Sequence, residues 1–221
     1  MGLLWLVTLI WAFSFSLIGE FLSGRVDPYL AVSSRMLLAL VLFLPWLLKS
    51  TSSKTQAMAL AAIGAIQLGL MYLLLYHSFL YLSVAEVLLF TILTPAYISI
   101  LDYFWRYKKL HLRWLGPALL AILGALVIRY QNLSADFWWG LVLIQAANLC
   151  FAFGQVAYRQ LDLGSTGSQR YNFGWFFVGA TLISLLATAL FADWNKMPTT
   201  TLDYGILVWL GLVAPLAHPS Q

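Results

Sequence analysis

Arg35 stands inside YLAVSSRMLLALVLFLPWLL, residues 29–48, a stretch long and apolar enough to cross a bilayer. An arginine at the centre of a spanning helix costs about 2.5–3.5 kcal/mol on an insertion scale. Two placements fit. The charge either snorkels to the interface, about 9 Å away at the helical rise, or turns toward a partner, a water-filled cavity or a substrate. A fixed cation inside a membrane suits an anion, so Arg35 is the leading candidate for holding a small carboxylate.

Other polar residues interrupt apolar runs at helical spacing. Gln145, Asn148 and Gln155 fall on one helix face, a stripe that either lines a cavity or bonds another helix. Trp11 and Ser14 share a face one turn apart. Gln67 lies near Tyr72 and Tyr76, whose rings either stack on a substrate or simply pack. Thr91 and Thr94 flank Pro95, whose missing N–H and ring clash predict a kink that frees the Thr91 carbonyl. Glu86 closes the pattern Ser83-Val84-Ala85-Glu86, a capping box; it is also a candidate to pair with Arg35 or to carry a coupling proton. The candidate substrate contacts are Trp11, Ser14, Arg35, Gln67, Tyr72, Glu86, Thr91, Gln145 and Asn148.

Nothing in the chain spells out catalysis. It has no HExxH, no Walker loop and no spaced His or carboxylate cluster, and Cys150 is its only cysteine. No catalytic residue, metal or cofactor is expected, and transport, if any, is not driven by ATP on this chain.

These residues sit in an extreme composition. Of 221 residues, 62% are hydrophobic and 9% charged, and the mean hydropathy is +0.86. A soluble domain carries about 25% charged residues. The apolar runs are continuous rather than alternating, which excludes a barrel. The expected class is an all-α polytopic membrane protein, with the lipid bilayer as its surroundings. The net charge of +4 comes from loop residues and calls for no nucleic-acid partner. The first segment lacks the basic start and small-residue cleavage site of a signal peptide, so it reads as a retained helix.

Eight helices are expected, at about 2–18, 29–48, 57–82, 84–101, 114–128, 138–157, 173–191 and 204–216. Eight of the twelve Lys and Arg fall in the loops after helices 2, 4 and 6, three fall in the opposite loops, and Arg35 is within a span. That bias places the N-terminus in the cytoplasm and Arg35 in the outer half of the membrane. A weak internal repeat is also present. Ala12-Phe13-Ser14-Phe15 resembles Cys150-Phe151-Ala152-Phe153, and Gln67-Leu68-Gly69-Leu70 resembles Trp209-Leu210-Gly211-Leu212, at offsets of 138 and 142. Helix 1 thus maps on helix 6 and helix 3 on helix 8, a five-helix unit used twice. An odd unit inverts its second copy, as in many secondary transporters.

At LIWAFSFS in helix 1, RMLLAL in helix 2, TILTPAY in helix 4 and LGPALLAILGALVI in helix 5, the chain resembles drug/metabolite transporters of the EamA type. That resemblance implies a ten-helix, five-plus-five fold. Residues 1–130 would form the first repeat and 138–216 a partial second repeat, followed by a non-family tail at 217–221. A narrower resemblance covers IWAFSFSLIGEFL, GAIQLGLMYLLLY, SVAEVLLFTILTPAYI and KMPTTTLDYGILVWLGLVA, and runs from Met1 to about Ala214. It implies uptake of a small carboxylate across the bacterial cytoplasmic membrane. After Ala214 the resemblance ends at Pro215-Leu216-Ala217-His218-Pro219-Ser220-Gln221. Helices 9 and 10 are therefore expected to be missing, and with them part of the cavity wall and, on one reading, activity. The alternatives are another carrier of the superfamily, such as an amino-acid or metabolite exporter, and a non-transporting membrane fragment held by another chain.

Overall fold

A computed structural model describes residues 2–108, 116, 120, 123, 135–161 and 169–216. The order is α1 (Gly2–Ser16) running into a π-helical segment (Leu17–Leu22), α2 (Pro28–Leu47), α3 (Lys54–Ser78), α4 (Val84–Thr91), α5 (Thr94–Tyr107), α6 (Ala135–Gln160), α7 (Gln169–Phe191) and α8 (Thr201–Leu216). The described residues contain helices and no strand. This is an all-α, multi-pass membrane protein. Five stretches are long and apolar enough to cross a membrane, and two shorter apolar helices cover Thr8–Leu22 and Thr201–Val213. The helix expected over 114–128 lies almost wholly outside the described residues.

Local chemistry sets the helix starts. Pro28 opens α2, and Asp27 Oδ1 accepts from the Tyr29 and Leu30 amides at 2.9 and 3.1 Å. Ser53 with Gln56 begins α3 as a capping box, and Ser83 with Glu86 begins α4 in the same way. The kink expected at Pro95 is a full break. α4 ends at Thr91, Ile92 and Leu93 form a turn, and α5 restarts with Pro95 in its first turn, where a missing N–H costs nothing.

The second half of the chain closes over the first. α7 packs along both α2 and α3, α8 packs on α2, and α6 packs on α3 and on both halves of the broken helix. At Gly179 the contact between α7 and α3 is so close that a Cβ would overlap the Ala61 backbone, the use of a small residue typical of membrane helix pairs. Met36, Phe90, Phe137, Ile144 and Leu210 belong to one buried cluster to which α2, α3, α4, α6, α7 and α8 contribute.

At one end of the bundle the two halves are clasped. Asp27 Oδ2 accepts from the Asp193 amide at 3.2 Å, and the Asp27 amide donates to the Lys196 carbonyl at 3.0 Å. Thr188 Oγ1 donates to the Tyr29 carbonyl at 3.0 Å. Arg25 reaches Asp203 at 3.3 Å, and Asp203 also caps α8 by accepting from the Thr199 and Thr200 amides. Asp27 thus begins α2 and holds the α7–α8 connection with the same carboxylate.

Candidate functional site

A cavity of about 740 Å³ lies between α1, α2, α3, the α4–α5 break and α6, within the size range of small-molecule sites. Six of the nine expected contacts line it: Trp11, Ser14, Arg35, Tyr72, Thr91 and Asn148. Glu86, Gln67 and Gln145 do not. The wall is mostly apolar, from Phe15, Ile18, Met71, Leu75, Ile144 and Phe151 among others.

Arg35 is turned into the bundle rather than toward an interface. It is 5% exposed. Its Nη2 donates to Tyr72 Oη at 2.8 Å, and its Cζ lies 3.9 Å from the centroid of the Tyr72 ring, within cation–π range. Tyr76 lies one helical turn further along α3, buried, with its ring edge-on to Tyr72. Arg35 Nη1 and Tyr76 Oη are buried without a hydrogen bond of good geometry. Among the described residues, no carboxylate lies within ion-pair distance of Arg35. Of the roles the sequence left open for Glu86, the structure shows the cap: Glu86 Oε2 accepts from the Ser83 amide at 2.8 Å and from its hydroxyl at 2.7 Å.

The α4–α5 break is held by α6. Asn148 Nδ2 donates to the Phe90 carbonyl at 3.0 Å and to Gln145 Oε1 at 3.2 Å, while Asn148 Oδ1 accepts from Thr94 Oγ1 at 3.2 Å. Tyr97 Oη donates to Gln145 Oε1 at 2.9 Å. The carbonyl that α6 reaches at the break is that of Phe90, which also accepts from the Leu93 amide at 3.2 Å. Both amide hydrogens of Asn148 are committed, and its oxygen keeps one lone pair. Ser14 and Thr91 donate to their own helices, to the Ile10 and Leu88 carbonyls at 2.7 Å each, so both hydroxyl oxygens keep acceptor capacity. The cavity therefore has a cationic pole at Arg35 and an acceptor-rich pole at the break.

The remaining two residues serve packing between helices. Gln67 lies in a π-helical stretch of α3 (Ala65–Leu70), where its side chain fills the space over Gly154 of α6. Gln145 stands behind Asn148 as its partner. Sequence reasoning passed over Thr8, Phe15 and Ile18, which share the cavity-facing side of α1 with Trp11 and Ser14. Extending that face by one turn in each direction would have found them.

A bundle of apolar helices around a charged, mostly apolar cavity is the anatomy of a membrane carrier, and residues 1–130 match the EamA-like transporter family. The chain belongs to that family. It is 45% identical over 215 residues to the biotin transporter of Escherichia coli (strain K12), and 44% identical over 214 residues to the biotin transporter of Salmonella typhimurium, covering 97% of this chain and 72% of the relative in each case. It is also 45% identical over 210 residues to a probable biotin transporter of Pseudomonas aeruginosa, covering 94% of this chain and 73% of the relative.

Proposed function

We propose that this chain is a secondary transporter that takes up biotin across the bacterial inner membrane, with its N-terminus in the cytoplasm. The observation that carries the reading is Arg35, a buried cation that lines a substrate-sized cavity and has no carboxylate partner among the described residues. An unpaired buried charge costs several kcal/mol, and a substrate carboxylate removes that cost on binding. The names of the relatives and the narrower resemblance in the sequence support biotin as that substrate.

The chemistry of the two poles agrees with this, since Arg35 from α2 and Asn148 from α6 both line the cavity. Biotin carries a carboxylate at the end of a flexible chain and a ureido ring at the other end. Its ureido N–H groups suit the free lone pairs of Asn148, Ser14 and Thr91, and its bicyclic body suits the aromatic wall.

The packing supports an inverted repeat. A Cβ on Gly69 of α3 would overlap Ile183 of α7 and press against the Ala180 backbone, and one on Gly211 of α8 would run into Leu38 of α2. Gly69 and Gly211 are 142 residues apart, and so are Leu38 and Ala180. The same offset exchanges the two contacts, as a two-fold relation between halves requires.

Labelled-biotin uptake in cells lacking their own carrier tests the function. Arg35→Ala should insert normally and lose uptake at least tenfold. Uptake in that variant at the wild-type rate would remove Arg35 from the site, and failure of excess cold biotin to compete with the label would remove biotin as the substrate.

A further inference from the structure

We propose that Tyr72 is the positioning residue of the anion site, fixing the Arg35 guanidinium by a neutral acceptor so that its full charge remains available to a substrate carboxylate. This rests on the reading of Arg35 given above. An arginine carries five N–H donors on a flexible stem, and a buried one must be held. The usual holder is a carboxylate, which positions the guanidinium and cancels its charge in the same act. Here the holder is a phenol. Tyr72 Oη takes one Nη2 hydrogen at 2.8 Å, and the ring beneath covers one face of the guanidinium with Cζ at 3.9 Å. Neither contact supplies a negative charge. Tyr76, edge-on to Tyr72 with centroids 6.4 Å apart, backs the ring from the next turn of α3.

The pair is also placed to act on the cavity. Tyr72 and Arg35 both line it, from neighbouring helices. Nη1 is buried without a hydrogen bond of good geometry, and the one other group close to the guanidinium among the described residues, the Tyr76 hydroxyl, is also neutral. A carboxylate entering beside Tyr72 meets a guanidinium already oriented, and does not have to displace an internal counter-ion first. Recognition then depends on the charge of the ligand: an acid is held, and its uncharged ester is not.

The test is ligand-induced stabilisation of the purified full chain in detergent, measured with two acid and ester pairs: biotin and biotin methyl ester, and hexanoate and methyl hexanoate. The wild type should be stabilised by both acids and not by the esters. Tyr72→Phe keeps the ring and loses the acceptor, so both acids should bind about tenfold more weakly, the worth of one hydrogen bond to a charged group, while any ester binding is unchanged. Tyr72→Glu supplies an internal counter-charge and should abolish the preference for acids. Wild-type affinity for both acids in Tyr72→Phe overturns the proposal. If hexanoate is bound and biotin is not, biotin fails as the substrate while the hexanoate series still decides the role of Tyr72. If the wild type shows no preference for either acid over its ester, Arg35 is not an anion site and the proposal falls with it.

Discussion

Glu86 can be both a structural cap and a proton carrier, and single-residue chemistry separates the roles. Its carboxylate accepts from the Ser83 amide and hydroxyl, and a glutamine at this position can still close a capping box. Glu86→Gln should therefore retain fold and uptake if capping is its whole contribution; uptake collapsing at normal membrane levels would assign it a proton. Arg35 was legible from the sequence because a charge in an apolar run is conspicuous. Its partner was not legible: the sequence offered Glu86, and hydropathy carries no information that Tyr72 on the next helix meets the guanidinium. The polar stripe on α6 left a cavity lining and a helix contact open, and Asn148 does both, lining the cavity while it bonds the neighbouring helix. Its two donors are spent on Phe90 and Gln145, a commitment that depends on where the neighbouring helix breaks.

Among the elements, the α2 start carries the most consequence. Asp27 caps α2 and holds the Asp193 amide, so Asp27→Ala loses two functions at once. We expect about 1–2 kcal/mol of destabilisation, the upper part of the range for a lost N-cap, visible as a lower melting temperature in detergent. Asp27→Asn should recover only the capping part, because its one amide oxygen can cap α2 but its NH2 cannot accept from the Asp193 amide. Helix positions were readable from apolar runs to within a few residues, and α2 is displaced by only one from its expected span. The break at Ile92–Leu93 was readable only as a kink. A proline marks where a helix is weakened, but the neighbours decide whether it bends or parts, and here α6 provides the polar groups that let it part.

For the whole molecule, a simple labelling experiment checks the proposed orientation. In a background without Cys150, a cysteine at Ser52 should react with a membrane-impermeant thiol reagent only in inverted vesicles, and one at Thr199 only in intact cells. The reverse pattern would invert the assignment and place the Asp27 clasp on the cytoplasmic side. The packing of α7 against α2 and α3 also bears on how the chain is made. α2 and α3 enter the membrane well before the helix that covers them has been translated, an interval on the order of 10 s at ordinary elongation rates. During that wait Arg35 has no finished bundle to shelter in. Tyr72, only 37 residues downstream and in the very next helix, can reach it as soon as α3 inserts. The hydroxyl that orients the charge in the finished carrier is therefore also its first companion in the nascent one.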